Sequence, residues 1–512
     1  MCFPMRKPVT VLLLHIVFAV LALKPAGAQN AAASAARQWR ETHERAIVAE
    51  FMEFLSIPDV AADPAGLRRN AIVIREMFEK RGVRTRLLQT EGAPPVVYGE
   101  ILTPGAERTV ILYAHYDGQP VDPREWATPP FAPVLRDGPL ESGGKEIPLP
   151  AIRQPFGAEW RIYARAAGDD KLPFIALTAA LDAIREKKIA LKSNIKFVFE
   201  GEEEAGSPHL QRILAENKDL LRGDVFLICD GPLHQSRRQQ VVFGVRGIQG
   251  LDITVYGARR ELHSGHYGNW APNPAMMLSQ LLASMKADDG RVLIEHFYDG
   301  IEPLGDIEKS AIAGAPDYDA TLQQELWLGH TDGGGKKLLE LLNQPSLNLR
   351  GISSGHVGAQ ASNVIPATAT ASIDMRLVKG IDHREAVARV VEHIRKQGYY
   401  VVESDPDQKT LLSHPKVAKV AIGDGYNAQR TPMDLPIARR LTETLEQVRG
   451  PVIKLPTSGA SLPLYVIQQE LGTPPISVPI ANHDDNQHTF NENLRLQNLW
   501  DGIEVMAALL TM

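Results

Sequence analysis

The stretch Thr109-Val110-Ile111-Leu112-Tyr113-Ala114-His115-Tyr116-Asp117-Gly118 decides how the rest of the chain is read. Thr109 to Tyr113 is an apolar run without polar alternation, the pattern of a strand covered on both faces. A histidine closes the run and an aspartate follows two residues later. In an open α/β sheet, ligands bind outside the carboxyl ends of the strands. The surrounding chain supplies such a sheet. Strands are predicted over 96–102, 194–199 and 224–229, between helices over 46–55, 71–81 and 174–184. Ala31 to Arg45 opens the first helix, and Ser56-Ile57-Pro58 closes it. The alternation predicts an α/β fold with a mixed sheet and helices on both faces.

After Gly231 the texture changes. Residues 241–255 read as paired strands around a glycine turn, 274–285 as a helix and 290–350 as irregular chain. A strand at 367–377, a helix at 384–396 and a strand at 399–402 follow. These make a smaller α+β domain over 238–404. From 405 onward the first texture returns, with a helix at 435–447, a strand at 476–479 and a helix at 496–510. The expected organisation is a larger domain in two parts, 29–237 and 405–512, interrupted by the smaller one.

Composition bounds the class. The chain has 512 residues, 44% hydrophobic and 23% charged, as in soluble globular proteins. The net charge is -6 with no long basic run, which argues against nucleic acid as a partner. Arg6 and Lys7 precede an apolar run from Val9 to Leu23, then Pro25 and Ala26-Gly27-Ala28. This is a signal-peptide pattern over residues 1–28. The run of about 15 residues is short of the ~20 that span a bilayer; an uncleaved anchor is the other reading. Cys2 leaves with such a signal, so Cys229 is the mature chain's one cysteine and no internal disulfide is expected. A secreted or periplasmic protein without a stable membrane span follows.

Five stretches carry candidate chemistry, most of them just after an apolar strand. His115 has Asp117 two residues on, placed to hold its other ring nitrogen; read alone, it is equally a hydrogen-bonded strand-end histidine. Asp169, in Gly168-Asp169-Asp170-Lys171, precedes a helix and reads as an N-cap or as a carboxylate bridging two metals. In Glu200-Gly201-Glu202-Glu203-Glu204-Ala205-Gly206-Ser207, acids abut a buried strand, so one can bind metal while its neighbour moves a proton. Asp230 ends Phe226-Leu227-Ile228-Cys229-Asp230. His488 lies in an acidic, amide-rich loop, Asp484 to Glu492. Each reads singly as a solvated or hydrogen-bonded residue. Together they supply two imidazoles and three carboxylates, which suits two divalent ions.

The joint pattern resembles the M20 family of metallopeptidases, from about residue 45 to the C-terminus, with the signature blocks in the family's order. His115-Tyr116-Asp117 matches its H-x-D block, Asp169-Asp170-Lys171 its D-x-K block, and Glu203-Glu204-Ala205-Gly206-Ser207 its paired-glutamate block. Asp230 and His488, with Asn491-Glu492, complete the set. The resemblance implies that Asp169 bridges two metals, with Glu204 and His488 on one and His115 and Asp230 on the other. It makes Glu203 the general base and Asp117 the residue that orients His115. His263, in Leu262-His263-Ser264-Gly265, is implied to stabilise the oxyanion, often across a dimer, so the smaller domain would be a lid and dimerisation domain. Arg376 would bind the substrate carboxylate, Gly459 and Ser461 belong to the substrate loop, and His414 is a further substrate-contact candidate. The implied ions are zinc, with manganese or cobalt as alternatives.

The chain departs from the family around the D-x-K block: where the family usually has Gly-Arg-Gly before it and Gly after it, this sequence has Ala164-Arg165-Ala166-Ala167-Gly168 and Leu172. About 20 residues extra to the family's pattern, roughly 141–160, also interrupt the approach to it. The expected activity is hydrolysis of dipeptides or of the C-terminal bond of small peptides. Deacylation of N-acyl amino acids at the same site is the alternative, and a metal-free binding protein of this fold a third.

Overall fold

The computed structural model describes residues 30–151 and 154–512; the signal-peptide reading of residues 1–28 lies outside them. The run quoted above forms the strand Thr109–His115 at the centre of an eight-stranded sheet. It pairs in parallel with Asn194–Glu200 on one side and with Val225–Ile228 on the other. The sheet continues to Val96–Ile101 and Arg84–Leu88 at one edge. At the other edge come Pro475–Ser477, Gln240–Val242 and Ile453–Leu455. Parallel and antiparallel pairs both occur, so the sheet is mixed.

The two-sided apolar pattern has a direct packing consequence. Val110, Leu112 and Ala114 enter one core, beneath the helices Ala31–Leu55, Leu172–Glu186 and Leu496–Leu510. Ile111 and Tyr113 enter a second core, against the helices Leu210–Glu216 and Tyr465–Leu471. Successive strand residues point to opposite faces, so a strand covered on both sides has to be apolar throughout. Each fully buried aliphatic side chain contributes about 1.5–3 kcal/mol.

The smaller body is a five-stranded sheet in the order Ser346–Ser353, Thr368–Leu377, Gly247–Tyr256, Val417–Tyr426, Tyr400–Val402. The helices Pro274–Met285 and His383–Lys396 cover one face of it. Three expectations change here. Residues 241–255 are not a hairpin: Gln240–Val242 belongs to the large sheet, whereas Gly247–Tyr256 is the central strand of the small one. The smaller sheet also includes Val417–Tyr426, beyond the boundary expected at 404, because that strand pairs along Gly247–Tyr256. The stretch 290–350 carries three short helices, the first at Asp306–Gly314. They are four to nine residues long and bury only Glu308, so they are too short and too exposed for an amphipathic period to announce them.

Near the large sheet, Lys171 and Asp59 form a fully buried ion pair at 2.8 Å. The Lys171 ammonium also donates to the carbonyls of Phe54 and Ile57, at the end of the first helix. Helix ends leave carbonyls unpaired and favour a cation there. The pair thus pins the turn containing Asp169 to that helix. Removing one partner of a buried pair leaves an uncompensated charge. Asp59→Asn is expected to lower unfolding stability by about 3–5 kcal/mol, measured by urea denaturation. A loss below about 1 kcal/mol, the size of an exposed pair, would show that the pairing carries no such weight.

Candidate metal centre

The parallel register places His115 opposite Glu200, so three strands end at one edge of the sheet. His115 closes its strand, the Glu203–Glu204 turn follows the second, and Asp230 lies two residues beyond the third. A separate three-stranded sheet brings in the remaining two groups. Its strand Arg161–Tyr163 leads into the Asp169 turn, and its strand Asn493–Arg495 follows the His488 loop. The two strands are antiparallel, with Asn493 opposite Tyr163, so the end of one lies beside the start of the other. The third strand, Val134–Arg136, pairs with Arg161–Tyr163, and the extra segment 141–160 falls in the connection between them.

The geometry is tight. His115 Nε2 lies 2.9 Å from Asp169 Oδ1, and His488 Nε2 lies 3.1 Å from Asp169 Oδ2. His488 Nε2 is also 3.3 Å from Glu204, while His115 Nε2 is 3.7 Å from Glu203 and 3.9 Å from Asp230. Two groups converge closely enough to hold an ion each: Asp169, Glu204 and His488 in one, and His115, Asp170 and Asp230 in the other. Asp170 did not stand out in the sequence. It is buried and accepts from the backbone N–H of His115, a role that depends on the fold. Gln487 and Gln119 are further additions, donating to Asp169 at 2.6 Å and to Glu204 at 2.7 Å. Nothing in their local sequence distinguishes them from surface amides.

Asp117 organises the edge. Its carboxylate accepts from the backbone N–H groups of Glu203 and Glu204, and it lies 3.4 Å from His115 Nδ1. Burial pushes the carboxyl of Glu204 up to about 7 and that of Asp230 up to about 6, and the Asp169 carboxylate adds to both. Burial also holds Glu203 well above the usual range. Asp169 goes the other way: burial opposes it, but hydrogen bonds from both imidazoles hold it low. Buried oxygens of Asp170 and Asp230 find no hydrogen-bond partner among the described residues. Crowded, desolvated carboxylates with orphaned oxygens beside two imidazoles are a donor set that fits a pair of divalent cations. Asp169 presents one oxygen to each half.

The His488 loop is held in an unusual conformation. Asn486, His488 and Asn491 all have positive φ, between 57° and 61°. Such backbone persists where surrounding contacts over-determine it. Here the fully buried Glu492 accepts from the backbone N–H groups of Ala166, Gly168 and Asp169, and from Arg165. Asp484, earlier in the loop, is gripped by Arg161 and Arg495. The sequence marked Glu492 only as the end of a motif; its clamping of the Asp169 turn is tertiary.

The other candidates divide. Arg376 of the smaller sheet reaches across to Ser461, 2.7 Å from its hydroxyl. Gly459 sits in the same loop, beside Leu342, and the loop is tied to the crossover by bonds from Ser458 to Gly244 and from Arg246 to Ala460. His263 is exposed on a short strand beside Val364, and among the described residues its ring accepts from the Gly265 N–H and lies against His266, not the cluster. His414 is not brought to the site. Its ring stacks on Tyr400 at 3.8 Å, at the Val417 end of a ten-residue strand. That is roughly 30 Å of strand from the end that adjoins Arg376.

Comparison with known proteins gives a consistent picture. The sequence pattern of Peptidase family M20/M25/M40 matches residues 111–512. A Cys-Gly metallodipeptidase of Schizosaccharomyces pombe is 25% identical over 88% of this chain and 92% of its own length. The human Beta-Ala-His dipeptidase is 25% identical over 92% of this chain and 90% of its own. Among solved structures, an M20 family metallo-carboxypeptidase of Sulfolobus solfataricus superposes with a TM-score of 0.74 at 26% identity, covering 91% of this chain and 98% of that one.

The clamp leads to an expectation. Glu492→Gln loses the charge that three backbone donors and Arg165 share. Metal affinity, measured by competition with a chromophoric chelator, is expected to fall about 10–100-fold, the usual effect of removing a group that orients ligands. Unchanged affinity would show that the two ligand loops hold their places without it.

Proposed function

The chain belongs to peptidase family M20/M25/M40, and from that premise we propose that it is a metal-dependent dipeptidase acting through a dinuclear centre with Glu203 as general base. The observation that carries this reading is Asp169, one oxygen on each imidazole, with Glu203 beside His115. Asp169, Glu204 and His488 would hold one ion, and Asp169, His115 and Asp230 the other. Zinc is the ion we favour, with manganese or cobalt as substitutes. When bound, such ions supply an acidified water at neutral pH and polarise the scissile carbonyl.

The chain's own residues do the rest. Glu203 takes the proton from the attacking water and passes it to the leaving amine. Asp117 holds Glu203 in place through its backbone and fixes the ring of His115. Arg376, braced by Ser461, receives the substrate's free carboxylate. The relatives act on Cys-Gly and on β-Ala-His, which supports small dipeptides as the substrate class. We also infer a homodimer through the smaller domain, in which His263 of one chain serves the other's oxyanion. Export through residues 1–28, to the periplasm or the medium, is part of the same proposal. No helix among the described residues is long and apolar enough to cross a membrane.

Chelator treatment is expected to abolish dipeptide hydrolysis, and zinc, manganese or cobalt to restore it, in an assay of released amino acids. Glu203→Gln is expected to retain both ions by elemental analysis while kcat drops at least about 100-fold. Wild-type-like turnover would remove Glu203 from the base role. Dipeptides are expected to be cleaved in preference to N-acyl amino acids across a substrate panel.

A further inference from the structure

The carboxylate-binding corner contains a residue that no sequence motif marked. In the smaller sheet, Ile248 pairs with Arg376 on one side and with Tyr426 on the other. Directly opposed residues in antiparallel ladders project to the same face. That face is opposite to the one on which Leu251, Ile253 and Val255 meet the helices, because Ile248 alternates with them along the strand. Arg376 and Tyr426 therefore stand in one row on the face left uncovered by those helices. Two strand spacings separate their backbones, roughly 10 Å, and both side chains reach the same segment, Arg376 at Ser461 and Tyr426 at Tyr465.

The two side chains are complementary in what they leave free. Arg376 uses Nε on Asp374 and Nη1 on Ser461, and its Nη2 has no partner among the described residues. Tyr426 is held by its ring, stacked on Tyr465 at 6.2 Å and 14°. Among the described residues no hydrogen bond acts on its hydroxyl; burial, and then the charge of Glu203, raise it above the ordinary range, with Arg376 opposing. Arg246 adds a second cation to this corner: burial pushes it down to about 10, and the neighbouring charge of Arg376 contributes. A substrate carboxylate has two oxygens, and each needs a donor when desolvated.

We propose that Tyr426 is the second donor for the substrate's terminal carboxylate, its hydroxyl taking one oxygen while Arg376 Nη2 takes the other, and that this pair selects substrates with a free C-terminal acid. The assignment rests on the dipeptidase reading above, and it specifies what the site requires of the substrate: an anion at the leaving residue, positioned from the smaller domain while the scissile carbonyl faces Glu203.

The test pairs Tyr426→Phe with alanylglycine and alanylglycinamide. For the free acid, KM is expected to rise about tenfold or more, the weight of a hydrogen bond to a charged group, with kcat little changed. For the amide, whose one remaining oxygen is a neutral acceptor, the rise is expected to be several-fold smaller. The thermal midpoint is expected to stay put, because the hydroxyl has no partner among the described residues. An equal loss on both substrates, no loss on either, or a fall confined to kcat would each overturn the assignment. The same comparison is made as calorimetric binding of alanylglycine to the metal-loaded protein in the Glu203→Gln background, with and without Tyr426→Phe. Should the wild type turn over neither dipeptides nor N-acyl amino acids, the activity reading fails by itself, and binding still decides Tyr426: weaker binding by the variant supports it and equal binding overturns it.

Discussion

One buried carboxylate holds the centre together. Glu492 spans two segments more than 300 residues apart in sequence, accepting from three backbone N–H groups around Asp169 and from Arg165. It directly precedes the strand Asn493–Arg495, which pairs with the strand leading to Asp169. The loop with His488 and the turn with Asp169 are thus joined by both a ladder and a clamp. At 0% exposure, its two oxygens are bonded by Arg165 and three backbone N–H groups, which offset the burial and the nearby Asp169 charge that work against it. The strained backbone at His488 is the counterpart of this arrangement: a loop with several left-handed residues is held where its imidazole meets Asp169.

The electrostatics follow from crowding. Asp169, Asp170, Glu203, Glu204 and Asp230 gather around two imidazoles, mostly out of water. Burial raises most of these acids, and their mutual repulsion adds to it. Divalent cations relieve both penalties together, which is why such a cluster is stable as a binding centre and costly as a bare core. The neighbouring Lys171–Asp59 pair solves the same problem internally, with a cation of the chain's own. The smaller sheet then brings the Arg376 guanidinium to Ser461.

Much of this was legible in the sequence because its signals are local. A strand buried on both faces needs an unbroken apolar run, and Thr109 to Tyr113 provides one. The acids and histidines at strand ends stand out because such positions border the cleft. The limit of the smaller domain was not legible. Val417–Tyr426 looks like any strand, and only its pairing with Gly247–Tyr256 assigns it to a sheet. His414 shows the converse: a plausible motif histidine, carried by that same sheet to its far end.

The sequence by itself determined the α/β class, the family and the set of acids and imidazoles, because periodicity and short motifs are written within a few residues. Tertiary structure alone decided the places of Asp170, Gln119, Gln487 and Glu492. Each owes its place to a partner distant in the chain, reached through sheet register and loop packing, and hydrogen bonds of that range leave no trace in the local pattern of residues.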